Sequence, residues 1–179
     1  MITNNLVGRY VDLRSAKVED AEFALNIRHT PKAMKFMPPL DITLEQQKSW
    51  IEKQRITEGD YFFVAFNKNN ERVGVLSVYD IHENQGEVGR IVMQGKSFES
   101  LESYLLLLRF AFQTLNLEKV TAYTYPNNSR AIRFYEFFGA KLEESPPDVE
   151  KNYSNVAMVH TAENFSKCEQ NVLNKIFVK

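Results

Sequence analysis

The segment from Leu101 to Leu115 constrains the fold more than any other part of the chain. Leu101, Leu105, Leu108 and Phe112 fall on one face at helical spacing, and Leu106, Leu107, Phe110 and Ala111 cover most of the rest. A helix that is apolar nearly all round has no side to turn to water, so other layers must cover it on several sides. Its longest unbroken apolar run, Tyr104 to Leu108, is far too short to span a bilayer. The helix therefore needs a sheet beneath it and further helices around it.

The rest of the chain supplies both. Tyr10 to Leu13 reads as a short strand and Val18 to Arg28 as a helix ended by Pro31. Lys32 to Asp41, with Pro38 and Pro39, reads as loop. Thr43 opens a second helix, and Gln46 three residues later completes a capping box. After Gly59 the period changes. Tyr61–Phe66, Val73–Ile81 and Glu87–Met93 are successive strand candidates, joined by a polar turn at Asn67–Asn70 and a hairpin loop at His82–Gly86. They form an antiparallel meander. Lys119–Tyr125 is a further strand, and Asn128–Phe138 is a helix stopped by Gly139 at its C′ position. Lys141–Glu143 and Asn155–Thr161 are the last strands, separated by a Pro146-Pro147 loop. Runs of strands interrupted by single helices predict an α/β (α+β) fold: a mixed, mostly antiparallel central sheet of about seven strands with helices on both faces. Residues 1–162 make the domain. Residues 163–179 form a helical tail whose apolar Phe165, Val172, Ile176 and Phe177 either pack on that domain or pair with a second copy in a homodimer.

Composition narrows the function classes. The 179 residues carry 22 Lys and Arg against 23 Asp and Glu, a net charge of -1, which predicts no nucleic-acid partner and no anionic membrane surface. A local basic pocket for an anionic ligand remains compatible with that balance. Cys168 is the one cysteine, so no disulfide framework is available, and the N-terminal MITNNLVGRY lacks a basic-then-apolar signal pattern. A cytoplasmic location is the expectation. His29, His82 and His160 are scattered without ligand spacing, so no metal site is expected.

The residues at the element junctions carry a more specific message. The run Asn127–Ala140, NNSRAIRFYEFFGA, places Asn128, Ala131, Tyr135, Gly139 and Ala140 in the pattern of the acyl-coenzyme-A-binding helix of the GNAT superfamily of N-acetyltransferases, which it resembles. Glu87-Val88-Gly89 is similar to the acidic residue and glycine opening that family's central strand, and Leu107–Leu117 to the end of its helix after the cofactor loop. The resemblance covers residues 7–161. It implies acetyl-CoA as acyl donor and a small primary amine as acceptor.

The residues it singles out suit the chemistry. A phenol, with a pKa of about 10, stays protonated at neutral pH and can still supply a proton to a departing thiolate. That makes Tyr135 the candidate acid, although its helix spacing alone fits a half-buried core aromatic equally. Asn128, seven positions earlier on the same face, would bond pantetheine or order the strand junction, with Arg130 and Phe134 also assigned to the cofactor. Ile91, Val92 and Met93 would run beside the cofactor, whose pyrophosphate is expected at the N-terminus of the Leu101 helix. The expected phosphate loop is Gln94–Ser100, with Gly95, Lys96, Ser97 and Ser100 as contacts. It departs from the family pattern in having one glycine where two are usual, and the two serines serve as helix caps on the other reading. Glu87 is the candidate base, or an ordinary strand carboxylate, and His82 is the alternative base. Arg28-His29-Thr30-Pro31 followed by Phe36-Met37 resembles the substrate segment of amino-sugar-nucleotide acetyltransferases. The resemblance implies that Arg28 or Lys35 meets a diphosphate; Tyr79 and Asp80, at the end of a meander strand, and His82, near the hairpin mouth, are placed to border the acceptor. Arg28 also fits as the favourable basic end of its helix. The readings that follow are an acetyltransferase for a nucleotide-linked amino sugar, one for a protein N-terminus, or a non-catalytic module that binds coenzyme A.

Overall fold

The computed structural model of the chain describes residues 1–37, 40–148 and 153–177. In chain order, β1 (Leu6–Val7) and β2 (Val11–Ser15) lead through a short 3-10 turn into α1 (Ala21–Arg28), α2 (Pro31–Met34) and α3 (Leu44–Ile56). The meander follows as β3 (Tyr61–Asn67), β4 (Arg72–His82) and β5 (Gln85–Met93). Then come α4 (Ser97–Arg109), β6 (Lys119–Thr124), α5 (Ser129–Phe137), β7 (Lys141–Asp148), β8 (Tyr153–Thr161) and α6 (Ala162–Phe177). The eight strands form one sheet in the order β1-β2-β3-β4-β5-β6-β8-β7. Among the described residues the β5–β6 pair alone is parallel.

Alternation along the strands builds two cores. On β3, Phe63 and Ala65 point to one face, and Phe62, Val64 and Phe66 to the other. The first face joins Leu76 and Val88 and is covered by Leu105 and Leu108 of α4, Phe138 after α5 and Phe165 of α6. The second joins Val75 and Val92 and is covered by Ala24 and Ile27 of α1 and Ile51 of α3. The all-round apolar segment thus lies under sheet and helices, with Tyr104, Leu105, Leu107, Leu108, Phe110 and Ala111 all at most 2% exposed.

Several boundaries differ from the sequence expectation. Part of the expected loop is α2: Thr30 Oγ1 accepts from Ala33 N at 3.4 Å, and Pro31 sits at the first helical position, where its missing N–H costs nothing. Pro38 and Pro39 lie outside the described residues. The buried helix begins at Ser97, four residues before Leu101, and closes in a π turn over Phe110–Thr114 that keeps Phe110, Ala111 and Phe112 buried. The Pro146-Pro147 segment belongs to β7, which is an edge strand with a register shift between Glu144 and Pro147, where proline is tolerated. Gly139 has φ +81 and stops α5 in the left-handed conformation expected of it. The capping box at Thr43 and Gln46 forms, with bonds of 2.8 and 3.2 Å. Of the tail residues, Phe165, Val172 and Ile176 are buried in the first core, so α6 packs on the same domain. Residues 178 and 179 lie outside the described set. Among the described residues no helix is long and apolar enough to cross a membrane.

Two buried polar links tie these layers. The Glu102 carboxylate of α4 accepts the backbone N–H groups of Arg9, Tyr10 and Val11 at 2.6, 2.5 and 2.9 Å, which holds the β1–β2 turn on the helix. His160 of β8, fully buried, bonds the Phe138 carbonyl through Nδ1 at 3.3 Å and meets the Tyr104 hydroxyl at Nε2, 2.8 Å away. A carbonyl only accepts, so Nδ1 carries the proton and Tyr104 donates to Nε2.

Burial lowers the His160 pKa to about 4. The folded state then binds this proton less readily than the unfolded state, so stability is lost as pH falls from about 6.5 toward 4. The difference corresponds to about 3 kcal/mol at full effect. In urea titrations the wild-type protein should lose about that much more stability over this window than the His160→Gln variant. Parallel declines in the two proteins would show that His160 does not titrate on unfolding.

Candidate active site

The site begins where two parallel strands part. β5 and β6 pair over Gln85↔Lys119, Gly86↔Val120 and Glu87↔Thr121 and no further. Just beyond, β5 bulges: Ser77 opposes Gly89 and Val75 opposes Val92, so Arg90 and Ile91 together face the single Leu76. Arg90 takes up the bulge with φ +52, a left-handed conformation that a long side chain rarely adopts. The bulge shifts the alternation by one residue. Val88 therefore joins the α4 side and Val92 the α1–α3 side, although both are even-numbered positions on one strand.

Between the parted strands lies a cleft of about 1460 Å³. Gly89–Gln94 form its floor, α5 and Tyr123–Tyr125 one wall, and residues of α1, α2 and the segment after them the other. Ligand pockets for one small molecule are commonly about 300–1,000 Å³, so this cleft has room for two reactants.

Asn128 anchors the α5 wall. Its Oδ1 caps the helix by accepting from Ala131 N at 3.2 Å, and its Nδ2 donates to Thr124 Oγ1 of β6 at 3.1 Å. These two bonds tie the end of β6 to the start of α5. Tyr135, two turns on, lines the cleft and is 8% exposed, with its ring centroid 5.6 Å from that of Tyr104. Burial pushes its phenol pKa up to about 12, so the hydroxyl is protonated at neutral pH.

The cleft brings together most of the sequence-selected residues: Tyr135, Glu87, Ile91, Val92, Met93, Ser100, Asn128, Arg130 and Phe134, with Arg28, Lys35 and Tyr79 at the other wall. Five lie outside it, the exposed Asp80 among them. His82 is exposed at the hairpin and pairs with Asp80 at 2.9 Å. Gly95 and Lys96 border a separate shallow groove beside Arg72 and Phe98, and Ser97 is exposed. The glycine at position 95 answers to packing, since a Cβ there would come within 2.5 Å of Glu99 Oε2 and 2.9 Å of Val73 Cβ. Its N–H is given to the Val73 carbonyl at 3.2 Å. Nor do the serines cap α4. Lys96 is the N-cap residue, and the buried Glu99 carboxylate turns back to accept its N–H at 2.6 Å. A protein carboxylate therefore already sits at this helix N-terminus. Ser100 Oγ, in the first turn, bonds the Lys96 carbonyl at 3.3 Å.

Sequence reasoning missed Arg90, Lys32, Arg133 and Tyr123, all of which line the cleft. Strict alternation puts Arg90 on the opposite face from Glu87, and nothing local announces the bulge. Tyr79 donates a hydrogen bond to Glu87 Oε1 directly across the β4–β5 pair. Arg90 lies 3.9 Å over the Tyr79 ring and 2.7 Å from Asp60 Oδ1. Among the described residues the lining is strongly basic: Arg28, Lys32, Lys35, Arg90, Arg130 and Arg133 against one carboxylate, Glu87. Arg28 Nε is buried without a hydrogen-bond partner. Burial and the nearby Arg90 charge both lower the Arg28 pKa, so an anion placed there would be favoured.

The chain is similar to known proteins. Residues 11–141 match the model of the acetyltransferase (GNAT) domain family. A curated relative, the SPbeta prophage-derived uncharacterized N-acetyltransferase YokL of Bacillus subtilis (strain 168), is 30% identical over 101 residues. That match spans 54% of this chain and 56% of YokL, so the chain covers little more than half of that relative's length. Among solved structures, apo FdhC, a nucleotide-linked sugar GNAT, superposes with a TM-score of 0.82 at 20% identity, covering 99% of this chain and 100% of FdhC. Spermidine N-acetyltransferase from Vibrio cholerae in complex with CoA and spermine gives a TM-score of 0.74 at 20% identity, covering 88% of this chain and 98% of that one. At these identities the structural likeness establishes the fold.

Replacing Asn128 by Ala removes the α5 cap and leaves Thr124 Oγ1 without this donor. The cost should be about 1 kcal/mol, read as a lower urea midpoint. An unchanged midpoint would mean that the cap carries no stability.

Proposed function

The chain belongs to the GNAT acetyltransferase family, and we propose that it transfers acetyl from acetyl-CoA to a primary amine of a nucleotide-linked amino sugar. The observation that carries the acceptor class is the charge of the cleft, where among the described residues six cations line it with one carboxylate although the whole chain is nearly neutral. A polyamine or a basic peptide would meet repulsion there, whereas a diphosphate would be drawn in. Buried and unpaired, Arg28 Nε supports the same reading from the acceptor wall. FdhC is a nucleotide-linked sugar GNAT of closely similar fold, which agrees with it.

Donor and acceptor have separate walls. Beyond Glu87 the edge of β5 that faces β6 pairs with no strand, so its amides suit the extended pantetheine arm much as they would an added strand. Arg130 and Arg133 on α5 supply positive charge for the phosphates. A backbone N–H of the bulged segment is the natural donor to charge developing on the acetyl oxygen.

Glu87 takes a proton from the acceptor ammonium, directly or through one water, and the N–H electron pair stays on nitrogen. As the C–N bond forms and the C–S bond breaks, Tyr135 gives its proton to the departing sulfur. The nitrogen's second proton restores Tyr135 by way of solvent, and one proton is released overall.

Saturating acetyl-CoA should raise the melting temperature, and a mass increase of one acetyl group should appear on a nucleoside-diphosphate amino sugar in preference to spermidine or a peptide amine. Equal or better turnover of spermidine would overturn the acceptor assignment. Arg28→Ala should raise KM for the nucleotide-linked acceptor about 10-fold or more, as expected for losing a hydrogen bond to a charged group. Tyr135→Phe should lower kcat by about 10²-fold or more with acetyl-CoA affinity kept. An unchanged kcat would remove Tyr135 from the mechanism.

A further inference from the structure

Glu87 does not stand alone on its strand. Tyr79 and Glu87 are direct partners in the β4–β5 register, so both side chains emerge on the face covered by α1 and α3. The Tyr79 hydroxyl donates to Glu87 Oε1. Its ring is held from the other side by Arg90, whose guanidinium lies 3.9 Å from the ring centroid. Arg90 is itself fixed by Asp60 Oδ1 at 2.7 Å and lies 5.0 Å over the Trp50 ring. Asp60 Oδ1 also accepts from Gln54 Nε2 at 3.2 Å. The left-handed backbone at Arg90 is what delivers this cation to the same side as Glu87. The left-handed conformation at the cleft is thus held in place by three side chains, Tyr79, Asp60 and Trp50.

We propose that Tyr79 is the positioning residue of the base: clamped under Arg90, its hydroxyl stabilises the carboxylate form of Glu87 and fixes its orientation toward the acceptor amine. The proposal rests on Glu87 being the base. Tyr79 keeps its own proton throughout. Burial and the bond to Glu87 both raise its pKa far above the ordinary phenol value, so it is a donor at every working pH. The proton taken from the ammonium resides on Glu87 and leaves to water. Tyr79 on β4 and Tyr123 on β6 interact with Glu87 directly; Arg90 on β5 and Asp60 before β3 act on Tyr79, Asp80 on β4 acts on Tyr123, and Arg28 of α1 faces Arg90. The carboxylates Asp80 and Asp60 would favour protonated Glu87, and Tyr79 and Arg90 oppose them.

The test is the pH dependence of kcat/KM for the acceptor at saturating acetyl-CoA. Removing a donor from a carboxylate raises its pKa. Tyr79→Phe should therefore move the acid limb upward by on the order of one pH unit, lowering the rate along that limb and leaving the plateau above it reachable at higher pH, with KM for acetyl-CoA unchanged. Incorporating 3-fluorotyrosine at Tyr79, a stronger donor that keeps the ring, should move the limb the other way, and it serves if the phenylalanine variant does not fold. An acid limb unmoved in both proteins overturns the proposal. Glu87→Gln separates the two levels: it should abolish the limb and most of the rate. If it leaves both intact, the base assignment fails and Tyr79's role fails with it. If it abolishes them while the Tyr79 substitutions change nothing, Glu87 stands as base and Tyr79 is a structural neighbour.

Discussion

The rest of this structure depends on the parting of β5 from β6. Three paired positions hold the strands together at one end, and the bulge at Arg90 turns β5 away at the other. Had the ladder continued, the sheet would be closed there and its backbone groups satisfied within the protein. Because it stops at Glu87, a row of backbone groups faces a cleft instead, and α5 begins where β6 ends. The same bulge sends Val88 into one core and Val92 into the other, so a single strand serves both faces. The opening is thereby braced from both sides, since neither half of β5 can shift without disturbing a packed layer.

Charge is distributed to match. The chain is close to neutral overall, yet its basic side chains converge on this cleft from α1, α2, the segment after it, β5 and α5. Desolvation by low-dielectric walls strengthens their combined field inside relative to the solvated surface. Acidic groups in the same region are already engaged: Asp60 pairs with Arg90, and Glu99 caps α4 from within. That last bond bears on the loop preceding α4. With a protein carboxylate at the helix N-terminus and Gly95 packed against Val73, the loop is built for internal packing. The basic side chains that line the cleft beside it stand on the α5 wall instead.

Behind the cleft a polar link runs through the apolar core. Tyr104, His160 and the Phe138 carbonyl join α4, β8 and the end of α5, directly beneath Tyr135. Each partner is satisfied, so the link specifies how these three elements meet without leaving an unpaired buried group. His160 illustrates a limit of reading a chain linearly. Its partner Tyr104 is 56 positions away and is brought to it only by the docking of α4 on the sheet.

The sequence by itself determined what depends on neighbours within a few residues. The burial of the Leu101–Leu115 segment, the alternation of Phe62–Phe66, the Thr43–Gln46 box and the Gly139 stop all follow from local periodicity and backbone preference. The Asn128–Tyr135 pair was legible for the same reason, since one helix face carries both. Only the tertiary structure decided where β5 changes face, that Arg90 meets Tyr79 and Asp60, that six cations converge, and that Gly95, Lys96, Ser97 and His82 stand apart from the cleft. Register, bulge position and charge convergence are properties of pairings between distant strands and helices. A residue's own neighbours carry no record of them, so the cleft could be anticipated from its helix, while its electrostatic character had to wait for the fold.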